Sequence, residues 1–166
     1  MALSLDGTTG ITSDGGTPVI ENLDTTATGI AVTGDLTLTD SLKGSYGAGG
    51  ITTNFAAGDG ALVANTTGSS NTATGRNALL SNTTGANNTA TGYLALQDNT
   101  TGSYNVAVGR SALAANTTAP YNTAIGYQAL VSNTTGSSNA ATGFQALLSN
   151  TTGSSLTAYG VSALYN

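Results

Sequence analysis

From Asn54 to Asn166 the chain repeats itself every 17 residues, and no other property narrows its possible folds as much. In the copy from Asn122 to Ser138 the unit reads Asn-Thr-Ala-Ile-Gly-Tyr-Gln-Ala-Leu-Val-Ser-Asn-Thr-Thr-Gly-Ser-Ser. Its first alanine recurs as Ala56, Ala73, Ala90, Ala107, Ala124, Ala141 and Ala158, and the glycine two residues later as Gly58, Gly75, Gly92, Gly109, Gly126, Gly143 and Gly160. The leucine of the Ala-Leu pair recurs as Leu62, Leu79, Leu96, Leu113, Leu130, Leu147 and Leu164. None of these three columns has an exception. Between copies runs an Asn-Thr-Thr connector that begins at Asn65, Asn82, Asn99, Asn116, Asn133 and Asn150.

A strict short period makes each copy one structural rung, which cannot bury its own apolar face and is stable only when stacked on its neighbours. Seventeen residues are too few for a helix pair, and the Gly, Thr and Asn that crowd the unit disfavour helix interiors. The expected fold is therefore all-β, a parallel β-solenoid. Two short strands per rung are expected, Asn-Thr-Ala-Ile-Gly and Gln-Ala-Leu-Val, with a corner near the glycine and an Asn-Thr-Thr-Gly-Ser-Ser turn closing the circuit. At the usual spacing between strands, seven rungs make a rod of roughly 34 Å.

The columns predict what faces where. Strict Ala and Gly two residues apart imply a tight space beside another backbone, because such side chains share one face of a strand. One leucine per rung is the only large apolar side chain the pattern never gives up. So thin a core struggles to offset the entropy of ordering the chain, so several rods are expected to pack along their length. The connector asparagines can form amide ladders along the axis.

Composition removes several functions. The chain has 3 basic and 8 acidic residues and no histidine or cysteine. A nucleic-acid interface would need basic charge that is missing, and a disulfide framework is excluded. Residues 1–10 lack the basic start and apolar run of a secretory signal, and no segment is long and apolar enough for a membrane span, so a protein made in the cytoplasm, without membrane insertion, is expected.

Residues 1–50 differ from the array and hold six of the acids: Asp6, Asp14, Glu21, Asp24, Asp35 and Asp40. Alternation at Ile30-Ala-Val32 and Leu36-Thr-Leu38 around Thr33-Gly34-Asp35 predicts a β-hairpin. Gly44 to Gly50 reads as a hinge, which gives two parts: an attachment segment, 1–50, and a repeat array, 51–166. The acids read as solvated surface, since the Gly-Gly-x-Gly-x-Asp spacing of calcium-binding solenoids is absent. No metal or cofactor is expected.

The Asn-Thr-Ala-Ile-Gly-Tyr-Gln-Ala-Leu unit with its Asn-Thr-Thr-Gly connector resembles the head repeats of trimeric adhesins of the YadA type. It is closer still to the Asn-Thr-Ala-x-Gly-x-x-Ala-Leu arrays of bacteriophage tail fibres and of surface proteins that end in an endosialidase-type chaperone. The resemblance covers residues 54–166. It implies a left-handed parallel β-roll, three chains around one axis, and a stiff projection carrying a receptor-binding tip. The adhesin head repeat is usually shorter, so the extra connector is expected to protrude as a loop. This sequence departs from these families in showing no signal, stalk, membrane barrel or chaperone domain, and the missing signal is expected to favour a virion protein over a secreted adhesin.

Departures inside the array mark special rungs. The fourth connector has Ala119-Pro120 where others have Gly-Ser, and a proline that cannot donate to a ladder belongs in a loop. Leu156 stands where asparagine is the rule, as expected of an end rung that must be capped. The most variable column, after the strict glycine, holds Asp59, Arg76, Tyr93, Arg110, Tyr127, Phe144 and Val161. Arginine alternating with tyrosine at rung spacing should stack cation over ring. Arg76, Tyr93, Arg110, Tyr127 and Phe144, with the connector residues Tyr104 and Tyr121, are thus the candidate receptor-binding residues, against a simpler role in packing between subunits or coating the surface.

Catalysis is not expected. No histidine is available as a base, and of the acids only Asp59 and Asp98 lie in the array, too far apart to flank one glycosidic bond. The functional expectation is a homotrimeric fibre or spike of a bacteriophage particle, joined to other virion structural proteins through residues 1–50 and able to meet a host-surface glycan or protein. A trimeric adhesin on a bacterial surface is the alternative. An ice-binding solenoid, suggested by Thr72-Ala-Thr74 and Thr89-Ala-Thr91, ranks third because that ladder breaks at Val106, Val108, Ile125 and Ala140.

Overall fold

A computed structural model of the chain describes residues 53–165. The expected hairpin around Thr33-Gly34-Asp35 and the hinge at 44–50 lie outside the described residues. Each rung contributes one strand of three residues: β1 (Phe55–Ala57), β2 (Thr72–Thr74), β3 (Thr89–Thr91), β4 (Val106–Val108), β5 (Thr123–Ile125), β6 (Ala140–Thr142) and β7 (Thr157–Tyr159). They form one sheet in chain order, and every pairing is parallel. The register is the sequence period itself, with Ala73 beside Ala90 and Ala107 beside Ala124. The architecture is a parallel β-solenoid, and the described residues contain no helix.

The expected second strand, Gln-Ala-Leu-Val, is a turn instead. Two tight turns follow one another: Ala78 N donates to Gly75 O at 3.2 Å, and Asn82 N donates to Leu79 O at 3.2 Å. The leucines that alternation placed on a strand sit in the left-handed region, Leu79 at φ 52° and Leu113 at φ 54°. Such a conformation costs a non-glycine residue about 1–2 kcal/mol. What offsets it is the ladder, because the same residue's N–H is aimed along the axis: Leu79 N donates to Ala95 O of the next rung at 3.0 Å. Two further left-handed positions per rung do likewise in the opposite direction, Asn77 N to Asp59 O at 2.8 Å and Asn87 N to Ser69 O at 2.9 Å. Inter-rung bonding thus continues around the whole circuit, although only three residues per rung are extended.

The glycine corner is as tight as the strict column implied. Gly92 has φ +134°, and a Cβ built there would lie 2.6 Å from Gly109 O. Only glycine fits both the conformation and the space.

The core is narrow. Each interior rung buries two alanines and one leucine, Ala107, Ala112 and Leu113 in the fourth. Asparagines fill the remainder. Asn82 donates to Asn65 Oδ1 at 2.9 Å and to Gly85 O at 3.0 Å, while its own oxygen accepts from Asn99 at 2.8 Å. Both amide hydrogens are thereby used. A second asparagine column opens each copy: Asn71 donates to Gly85 O at 2.8 Å and accepts from Asn88 N at 2.9 Å. Among the described residues no buried side-chain nitrogen or oxygen lacks a partner.

The connector does not protrude. Its asparagine and glycine are buried, and Thr83 donates to Thr100 O from both its N–H, at 2.9 Å, and its hydroxyl, at 3.0 Å. The backbone N–H groups of Thr83, Thr84 and Gly85 all converge on Thr100 O of the next connector, so the segment is built into the stack.

Candidate functional site

With the interior occupied by Ala, Leu and Asn, chemistry beyond folding must lie on the columns that vary between rungs and reach the surface. The strand supplies two of them. In β4 Ala107 is buried, whereas Val106 is half-buried and Val108 exposed. Thr72 and Thr74 of β2, and Thr89 and Thr91 of β3, flank their buried alanines in the same way. The row turns apolar at Val106, Val108 and Ile125, and Val108 and Ile125 are exposed neighbours across the ladder. The sequence pattern showed these residues only as breaks in a threonine row; their position next to the corner adds apolar surface to the candidate column beyond it.

Past the glycine corner, rung spacing brings the variable column into contact. Arg110 sits between two rings, its guanidinium carbon 5.6 Å from the centre of Tyr93 and 5.7 Å from that of Tyr127. Tyr127 in turn stacks on Phe144 at 5.2 Å and 11°. Four successive rungs therefore form one stack, Tyr93, Arg110, Tyr127, Phe144, with the cation held against ring faces of negative potential. Arg76 lies at the other end of the column and meets Asp59 at 3.6 Å. Both side chains are mostly in water, so the pair contributes little to stability.

Tyr104 and Tyr121 form a second stack, on the connector turns, with centroids 5.2 Å apart and planes at 13°. Both are left-handed, at φ 61°, in a column that holds Ser70, Asn87, Ser138 and Ser155 on the other turns. The seven candidate residues thus fall into two separate aromatic groups plus the Asp59–Arg76 pair. The charge and ring combination of the first group suits a ligand with both a carboxylate and an apolar face. No group of three or more metal-ligating side chains occurs among the described residues.

Each Asn-Thr-Thr connector has the form of a glycosylation acceptor. Asn65, Asn82, Asn99, Asn116 and Asn133 are buried with their amides bonded, so the folded array offers none of these five for modification.

The fourth connector is looser than the rest. Where Ala119 replaces glycine, Asn133 donates to Asn116 Oδ1 at 3.3 Å, against 2.8–2.9 Å on the rungs below. Thr117 N to Thr134 O stretches to 3.4 Å, against 2.9 Å for Thr83 N to Thr100 O. At the equivalent position a Cβ on Gly102 would lie 2.8 Å from Ala119 O, so a methyl in this column requires its neighbours to give way. The sequence marked this position through Pro120; the longer step also carries the Ala119 methyl in place of a glycine hydrogen.

Comparison of the chain with protein-family models, with curated proteins and with solved structures gave no match.

Proposed function

We propose that the chain is a structural rod of a bacteriophage particle, a tail fibre or spike in which three copies pack side by side as left-handed β-rolls. Residues 1–50 attach it to other virion structural proteins. The array projects outward and presents Arg76, Tyr93, Arg110, Tyr127 and Phe144, with Tyr104 and Tyr121, to a host-surface glycan or protein. Its work is mechanical display and multivalent contact, where three weak sites act together through avidity; it performs no reaction.

The observation that carries this reading is the mismatch between the core and the exposed surface. One leucine and two alanines are the apolar side chains that each interior rung buries, while Val108 and Ile125, neighbours across the ladder, leave an exposed apolar stripe beside the glycine corner. Burying such a stripe between rods would add the apolar area that a single rod lacks. The stacked Tyr93–Arg110–Tyr127–Phe144 column favours a second reading, a trimeric adhesin displayed on a bacterial surface, since the same column suits recognition.

Light scattering coupled to size exclusion tests the assembly. Three chains of 16.2 kDa give 48.6 kDa. A mass of one chain at all concentrations overturns the trimeric fibre. Detection of the protein in purified particles, against cell envelopes, separates the fibre from the adhesin.

A further inference from the structure

Of the two aromatic groups, only one has outer faces left uncovered by large neighbours in its own column. In the Tyr93–Arg110–Tyr127–Phe144 stack the next residues of the column at the two ends are Arg76 and Val161, both larger than serine. The Tyr104–Tyr121 pair is bounded by Asn87 below and by Ser138 and Ser155 above. When two rings stack at rung spacing, each spends one face on the other and turns its second face toward the next residue of the column. For Tyr121 that residue is Ser138, too short to cover a ring, and the position beyond it is Ser155.

Three observations converge on that space. Tyr121 is 59% exposed and Tyr104 53%. The rung steps on either side of Tyr121 are the longest in this column: Ser138 N reaches Pro120 O at 3.3 Å and Tyr121 N reaches Ser103 O at 3.2 Å, whereas Tyr104 N reaches Ala86 O and Ser155 N reaches Ser137 O at 3.0 Å. Finally, the column position that holds Tyr104 and Tyr121 is filled by Ser or Asn on the sibling turns, so the ring pair belongs to these two turns.

We propose that the outer face of Tyr121, above the Ala119-Pro120 step, is a docking platform for the ring of an uncharged sugar. The ring face carries negative potential and attracts the polarised C–H groups on the flat side of a pyranose. Serine hydroxyls follow it along the stack: Ser137, Ser138, Ser154 and Ser155 lie on the two turns above, where Ser154 Oγ accepts from Ser137 N at 3.0 Å. The connector turns from Asn116 to Tyr121 and from Asn133 to Asn139 contain no charged residue, which selects a neutral saccharide over a sialylated or phosphorylated one. The inference names the ligand class for the display reading and rests on it only for the surface on which the sugar would sit.

The test titrates the purified full chain with the methyl glycosides of glucose, galactose, mannose, rhamnose and N-acetylglucosamine, with sialyllactose as the charged comparison, and follows backbone amide signals by NMR. Binding of at least one neutral glycoside should shift the signals of Tyr121 and Ser138 and leave those of Tyr93 and Tyr127 in place. Tyr121→Ser installs the sibling residue, and Ser138→Tyr extends the stack over the free face; each should weaken binding at least about tenfold, a loss of one stacking contact. Circular dichroism verifies that both variants keep the fold. Absence of shifts with every neutral glycoside overturns the proposal, as does unchanged binding in both variants. A fall in mass on Tyr121→Ser, read by light scattering, would instead mean that a second copy covers the ring, which also overturns it. The mass of the unsubstituted chain, measured on the same sample, reports separately on the trimer.

Discussion

Asn99 donates from its amide nitrogen to the amide oxygen of Asn82, 2.8 Å away and one rung earlier. Each such link fills one acceptor and one donor in a space that water does not reach. Fully satisfied, a buried amide column holds the rungs in one register; partly satisfied, it destabilises the array. Replacing Asn99 by Ala leaves the oxygen of Asn82 and an amide hydrogen of Asn116 without partners. Urea denaturation should show a loss of about 1–3 kcal/mol. Asn99→Asp should cost more at neutral pH, since it places a charge there as well.

The leucine column carries the apolar part of the core. Leu113→Ala should cost about 2–5 kcal/mol by the same measurement. Leu113→Asp should abolish the sheet signal in circular dichroism, because a carboxylate has no partner between two alanine columns. A folded, assembled Leu113→Asp protein would remove this column from the core.

Gly92→Ala tests the corner. The added methyl would press on the Gly109 carbonyl at 2.6 Å from a residue with φ +134°, a region that is essentially glycine's alone. Melting should fall sharply, corresponding to at least about 2 kcal/mol, since neither neighbouring backbone can withdraw without breaking the ladder.

Ala119→Gly should work in the other direction. Removing the methyl lets the fourth and fifth connectors close, shortening Asn133 to Asn116 from 3.3 Å and Thr117 to Thr134 from 3.4 Å. A gain of about 0.5–1 kcal/mol in thermal unfolding is expected, comparable to one improved hydrogen bond. An unchanged melting point would mean that Pro120, rather than the methyl, spreads the step.

Asp59→Asn should leave stability within about 0.5 kcal/mol. The partner Arg76 is reached at 3.6 Å with both side chains largely in water, where screening and side-chain entropy cancel the attraction.

The repeat itself determined most of the architecture. A 17-residue period with invariant Ala, Gly and Leu columns is compatible with few folds besides a stacked solenoid, and from it followed the parallel register, the tight glycine corner, the buried leucine, the connector ladder and the stacking of Arg110 between tyrosines. What alternation could not reveal was the path of the chain within a rung. Gln-Ala-Leu-Val has the composition of a strand, yet Leu130 adopts φ 52°, because closing a circuit in 17 residues requires reversals that only bonds to the next rung can hold in place. The connector failed to protrude for the same reason: Asn133 donates to Gly136 O of its own connector and to Asn116 Oδ1 of the rung before, so the turn is tied into the stack. The second asparagine column was present as a near-invariant letter, but its burial depended on the Gly85 carbonyl that arrives beside Asn71 from 14 residues away. Sequence periodicity thus specified which residues stack, since stacking repeats with the period; the tertiary structure alone decided how each rung turns, since turning depends on hydrogen bonds between rungs.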